Sequence, residues 1–206
     1  MKCPPGEFSG RATAKRVAGE ERMMNVKRLK KDNTLLVVID FQEKLMPAMH
    51  HKEELEDKMV RMAKGAKVMG IPALVTQQYT KGLGPTIPSI AEALGEFEPF
   101  DKTSYSIMGD PAIAEALRGM GKKNIVITGI ESHICVAQSA LDLLEEGYDV
   151  FICGDCVSSR KPEDQRLAEL RLMEAGAVYT SMEAILFELC GGAKEPGFKE
   201  ISAIIK

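Results

Sequence analysis

The sequence predicts an α/β fold: a mostly parallel central sheet with helices packed on both faces. Three observations carry this. Short apolar runs rich in β-branched residues recur at 35–39, 71–76, 124–129, 149–153 and 177–180. Longer stretches with apolar residues at three- and four-residue steps alternate with them. The runs are apolar at nearly every position, as in strands covered by helices on both sides.

Leu35-Leu36-Val37-Val38-Ile39 is too short for a helix and ends at Asp40, which makes it the first strand. Residues 52–69 place Leu55, Met59, Met62, Ala63 and Ala66 on one helical stripe, which Gly70 ends. The second strand, 71–76, carries Pro72 near its start, where a missing donor is tolerated. A Gly/Pro-bearing loop follows at 79–86, then a short helix over 89–94 and an extended piece over 99–104. Asp110-Pro111 combines an N-cap with a first-turn proline and opens a helix to Met120. The strand 124–129 leads into a helix over 133–146, ended by Gly147. The strand 149–153, a helix over 163–175, the strand 177–180 and a helix over 182–189 continue the alternation, and 198–205 form a last short helix.

With 206 residues, 45% hydrophobic and 28% charged, the chain suits one domain with a large core, and bulk disorder is excluded. No apolar run approaches the roughly 18 residues of a membrane span, and the opening residues carry no secretory pattern. Cysteines at 3, 135, 153, 156 and 190 make an odd count that cannot pair completely, so free thiols in a reducing, cytoplasmic setting are expected. Residues 1–31 hold nine Lys/Arg against three Asp/Glu, while 32–206 hold 18 against 27. The division is read as a basic N-terminal extension, 1–31, on one domain, 32–206. A docked or solvated arm is the first reading of the extension, with targeting and nucleic-acid contact as the others. Phe8 is its one aromatic residue, so no base-stacking platform and no nucleic-acid partner are expected.

In an open parallel sheet, ligands bind at the carboxyl ends of the strands. That rule nominates Asp40, Phe41 and Gln42 after the first strand, Gln77, Gln78 and Tyr79 after the second, Lys102 in the extended piece, and 130–135 after the strand at 124–129. Cys135 would sit in the first turn of a helix, where the macrodipole favours a thiolate. Read alone, a cysteine there is more often a packing residue. Asp40 alone could be a turn residue, and Lys102 a surface cation. Cys153-Gly154-Asp155-Cys156 has thioredoxin-like spacing but lies at the end of a later strand, and reads as packing before redox or metal chemistry. His50-His51 reads as a surface pair. His133 either braces the loop before Cys135 or takes part directly.

Val37-Val38-Ile39-Asp40-Phe41-Gln42, Lys102-Thr103-Ser104-Tyr105-Ser106 and Gly129-Ile130-Glu131-Ser132-His133-Ile134-Cys135-Val136 together resemble the signature blocks of the isochorismatase-like cysteine hydrolases. The resemblance runs from about Asn33 to Lys206. The 78–86 loop and the closing 198–201 segment are similar to the isochorismatase-domain-containing subgroup. The resemblance implies a three-layer α/β/α sandwich of Rossmann-like topology and an Asp-Lys-Cys triad. Asp40 would be the general base, Lys102 the charge-stabilising cation and Cys135 the nucleophile. It also implies a cis peptide at Ile130–Glu131, with the loop of Ile130, Glu131 and Ile134 aiming backbone donors at an oxyanion. Position nominates Phe41, Gln42, Gln78 and Tyr79 as the substrate pocket, with Ile130 and Ile134 adding apolar wall. Nicotinamidase relatives carry a metal-binding Asp/His set beyond the second strand; here Gln77-Gln78-Tyr79 stands there, so no metal and no cofactor are expected. True isochorismatases lack the cysteine. The resemblance therefore implies hydrolysis of a C–N, amide-type bond in a small molecule through a Cys135 acyl-thioester, by a homo-oligomer without membrane contact. The alternative is a catalytically weak fold serving binding or assembly.

Overall fold

A computed structural model describes residues 26–206; most of the basic extension, residues 1–25, lies outside the described residues. Six strands form one parallel sheet: β1 (Thr34–Ile39), β2 (Ala73–Gln78), β3 (Phe100–Lys102), β4 (Asn124–Ile130), β5 (Asp149–Ser158) and β6 (Val178–Thr180). Their order is β3-β2-β1-β4-β5-β6, every neighbouring pair parallel. The connection reverses direction between β1 and β4, and that switch point is where such sheets open a crevice.

The helices are α1 (Lys52–Met69), α2 (Thr80–Leu83), α3 (Pro88–Leu94), α4 (Pro111–Gly119), α5 (Ala137–Glu145), α6 (Pro162–Glu174), α7 (Met182–Cys190) and α8 (Phe198–Ile205). Strand periodicity sorts them into two layers. Leu36 and Val38 of β1 face a core shared with Leu55, Met59 and Met62 of α1, Ile90 of α3, Leu186 of α7 and Ile201 of α8. Leu35, Val37 and Ile39 face the opposite core, with Ile113 and Leu117 of α4, Ala140 and Leu143 of α5, and Leu172 of α6. The sandwich is thus α/β/α, as expected. All six residues of β1 are buried, which explains the unbroken apolar run at 35–39.

Three local differences from the sequence expectations bear on the site. The helix expected from 133 begins as a π-helical turn, Ser132–Val136, before α5 starts at Ala137. The loop at 79–86 contains the single turn α2. β5 extends to Ser158, beyond the apolar run that signalled it, because its second half continues beyond a break in pairing register. Residues 27–29 lie against the end of the chain's own sheet: Lys27 Nζ donates to the Gly176 carbonyl, Arg28 pairs with Glu188 at 2.7 Å, and Leu29 is buried. Among the described residues, no helix is long and apolar enough to cross a membrane.

Candidate active site

The carboxyl ends of four adjacent strands meet at one place. Asp40 follows β1 with a left-handed backbone (φ 58°), a conformation aspartate tolerates better than most residues. Gly129, paired with Ile39, lets β4 approach: a Cβ there would lie 2.5 Å from the Ile39 carbonyl oxygen, and its φ of 141° also disfavours a side chain. The next peptide, Ile130–Glu131, is cis, and Cys135 follows within the π turn.

Lys102, the last residue of β3, donates from Nζ to Asp40 Oδ2 at 2.7 Å, and both side chains are fully buried. Removing two charges from water costs several kcal/mol per ion unless every hydrogen-bonding group is matched. The matching is visible. Asp40 Oδ1 accepts from Thr76 Oγ1 at 2.8 Å. Lys102 Nζ also donates to Gln78 Oε1 at 2.5 Å, and more weakly to the carbonyls of Ser104 and Tyr105 at 3.3 and 3.4 Å.

Cys135 completes the group. Asp40 and Lys102 both act on its thiol. Burial and the Asp40 charge push its pKa up to about 12, against the opposing pull of Lys102. The resting group is therefore a neutral thiol beside a carboxylate, and the sequence expectation of a dipole-stabilised thiolate is corrected. Burial outweighs the helix terminus, which lies at the start of the π turn, Ser132–Val136.

The structure divides the remaining sequence candidates. Gln42 is fully buried and engaged in holding the neighbouring loop: Nε2 donates to the Gln78 and Gly84 carbonyls, and Oε1 accepts from the Gln78 amide. Phe41 is buried in the core on the α1 side. Gln78 ties Lys102 to the Thr103 carbonyl. These three are supports, not a substrate wall, because their polar or apolar surface is already satisfied within the chain. Tyr79, 53% exposed, is the pocket candidate that faces outward, joined by the exposed Tyr105. Ile130 is fully buried. Ile134 donates its amide to the Glu131 carbonyl at 3.0 Å, which removes it from the expected oxyanion donors. The Glu131 side chain pairs with Arg160 at 3.0 Å.

His133 Nδ1 lies 2.9 Å from Ser159 Oγ, and Nε2 lies 3.9 Å from Asp164. His50 and His51 contact each other, with ring centroids 3.8 Å apart. Sequence reasoning missed Thr76. Ser132 Oγ is buried without a hydrogen-bond partner among the described residues. A hydroxyl at a strand's carboxyl end is the one signal that could have drawn attention to Thr76. A cavity of about 740 Å³ lies elsewhere, between α1, α3 and α8, lined by Val60, Lys64, Val68, Ala93 and Ile204. It holds neither thiol nor histidine, so chemistry rather than volume locates the site.

The isochorismatase-domain family model matches residues 34–184. This chain belongs to the isochorismatase family. It is 36% identical over 185 residues to isochorismatase domain-containing protein 2 of Danio rerio, spanning 89% of this chain and 92% of the relative. It is 37% identical to isochorismatase domain-containing protein 1 of the same fish, over 81% of this chain and 59% of the longer relative. Among solved structures, MAR1 ribonuclease from Caenorhabditis elegans superposes with a TM-score of 0.82 and 39% identity, over 87% of this chain and 92% of that one. The nicotinamidase PncA of Bacillus subtilis, with a TM-score of 0.63 and 17% identity over 72% of this chain and 99% of that one, shares the fold. The isochorismatase-family architecture is that of a hydrolase.

Proposed function

We propose that this isochorismatase-family protein is a metal-independent cysteine hydrolase that cleaves a C–N, amide-type bond in a small molecule, with Asp40, Lys102 and Cys135 as its catalytic residues. The observation that carries the reading is the buried Asp40–Lys102 ion pair, 2.7 Å long, set against the Cys135 thiol. A fully buried, hydrogen-bonded ion pair beside a neutral thiol suits proton transfer better than packing.

In this mechanism the substrate carbonyl meets the Cys135 sulfur as Asp40 takes the thiol proton, so nucleophile and charge form together. A resting thiol with a pKa near 12 is compatible with this, because the proton has an acceptor in place. The C–S bond forms and the carbonyl oxygen becomes an oxyanion. Ile134 and Val136 both donate to the Glu131 carbonyl, and the Cys135 amide between them is the donor this mechanism assigns to the oxyanion. Asp40 then passes its proton to the departing nitrogen, the C–N bond breaks, and ammonia or an amine leaves. Water, deprotonated by Asp40, attacks the thioester. The C–S bond breaks and the sulfur regains the proton. Lys102, bonded to Asp40 Oδ2 at 2.7 Å, holds the carboxyl group in place throughout. Tyr79 and Tyr105 offer aromatic surface at the mouth for a small planar substrate.

Four cysteines lie among the described residues and all are free thiols, which supports the cytoplasmic reading. Self-association is part of the same proposal, supported by Leu167, Leu170 and Met173, which α6 leaves exposed; a monomer by light scattering would refute it.

The test is ammonia release from a panel of small amides and ureides by the full-length protein, with Cys135→Ala as control. Release abolished in the variant, together with an acyl adduct on Cys135 in quenched wild-type protein, supports the reading. The worm relative is called a ribonuclease, so an RNA arm belongs in the same assay. Cleavage of RNA that depends on Cys135, without amide turnover, would replace the substrate class.

A further inference from the structure

Cys153 and Cys156 are three residues apart in β5, and a regular strand would point them to opposite faces of the sheet. Both instead lie fully buried in the core on the α1 side. The cause is a break in register. Ile127 of β4 pairs with Ile152, and Gly129 pairs with Val157, so β4 advances two residues while β5 advances five. The surplus residues form a bulge that turns both sulfurs, and the carboxylate of Asp155 between them, toward one point. The three ligand-type atoms lie within 4.8 Å of one another, and Cys153 Sγ is 3.4 Å from Asp155 Oδ1. Tetrahedral coordination with metal–sulfur bonds of about 2.3 Å separates neighbouring ligand atoms by about 3.8 Å.

The surroundings match an ion as well. Asp155 Oδ1 accepts from the Met182 amide at 2.7 Å, an outer contact of the kind that orients a ligating carboxylate. Lys58 Nζ lies 3.9 Å from Asp155 Oδ2. Two thiolates, a carboxylate and a divalent cation sum to one negative charge, which that ammonium balances. A cavity of about 150 Å³, bordered by His50, His51, Gly154 and Asp155, adjoins the bulge and gives a route of entry.

We propose that Cys153, Asp155 and Cys156 form a binding site for a borderline-soft divalent cation of the zinc type, with a solvent molecule in the fourth position. On binding, each thiol releases its proton to solvent as its sulfur coordinates, and no electron changes hands. The ion would pin the β5 bulge to the start of α7 and to α1. The site is separate from the proposed Cys135 chemistry and does not depend on it.

The experiment uses the full chain, reduced and stripped of metal, with Cys135→Ala to silence the other thiol cluster. Cadmium is titrated as the probe, and its ultraviolet thiolate charge-transfer band is recorded. One ion per chain should bind with this band. Cys153→Ser and Cys156→Ser should each weaken binding by about 100-fold or more, beyond the loss typical of an outer contact. No band, a band that survives both substitutions, or a Cys153–Cys156 disulfide in the isolated protein overturns the proposal. Should the serine variants fail to fold, the parent chain decides. An equivalent of zinc must slow maleimide labelling of Cys153 and Cys156 in mild denaturant while leaving Cys190 unchanged, and equal labelling with and without zinc rejects the site.

Discussion

Cys135 sits where four strands of the sheet end, and Cys153 sits inside a strand; each has an aspartate as neighbour, and burial pushes both thiols upward. The surroundings of the two aspartates differ. Asp40 is locked in a buried ion pair with Lys102 and accepts a further bond from Thr76. Asp155 meets a backbone amide and, at 3.9 Å, a partly exposed lysine. The first arrangement sets an acid paired with a cation against one thiol at a sheet edge. The second sets a carboxylate between two thiols inside the core. Thiol and acid side by side are thus not a sufficient signature of catalysis; the cation and the strand end decide which chemistry is open.

The sharpest way to break this comparison is Asp40→Asn. Turnover should fall by about 10²–10⁴-fold, the usual worth of a positioned general base. Alkylation of Cys135 by iodoacetamide should nevertheless shift to lower pH, because the Asp40 charge is one of the influences raising the thiol. If reactivity and turnover fall together, Asp40 serves the thiol in some other way than as its base. Cys153 should keep its alkylation profile in the same variant.

Lys102→Met tests the ion pair from the other side. It strands the Asp40 carboxylate in the core with Thr76 as its remaining donor, and should cost about 3–5 kcal/mol in denaturant unfolding. Asp40→Asn should cost less, because Lys102 retains Gln78 and two carbonyls as acceptors. The reverse ranking would contradict this account.

Thr76→Val removes one bond to a charged group and should lower stability by about 1.5–3 kcal/mol. An unchanged unfolding midpoint would mean that solvent replaces the hydroxyl.

The effect that is smallest per pH unit concerns the thiols. A thiol whose folded pKa is raised favours folding in its protonated form. That contribution is complete below the unfolded value of about 8.5 and is lost as pH rises toward the folded value of about 12. Wild-type stability should therefore fall between these limits more steeply than that of Cys135→Ala, by at most about 1.4 kcal/mol per pH unit. Parallel slopes would show that the raised value is not expressed. Cys153→Ala should flatten the slope in the same direction, since burial raises that thiol as well.

Much of this was legible in the chain. The unbroken apolar run at 35–39 marks a strand covered on both faces, and the Asp110-Pro111 entry marks α4, with Asp110 Oδ1 accepting from the Ala112 amide at 2.9 Å. That Asp40 and Lys102 stand at one sheet edge followed from strand ends and block order. The orientation of individual side chains at those ends did not follow. Gln42 and Tyr79 both stand just beyond apolar strands, yet one is fully buried and the other half exposed. A glutamine can hold a loop or face a ligand, and only the position of the 78–86 segment chooses.

Local sequence determined the elements and their layers, because hydrophobic periodicity and backbone preference act over a few residues. Tertiary structure decided what lies beyond that reach. The order β3-β2-β1-β4-β5-β6 brings Asp40 to Lys102 across 62 residues of chain. The slip in β5 turns Cys153 and Cys156 to one side. Burial, a property of everything packed around a thiol rather than of its neighbours in sequence, keeps Cys135 protonated where its chain position alone argues for a thiolate.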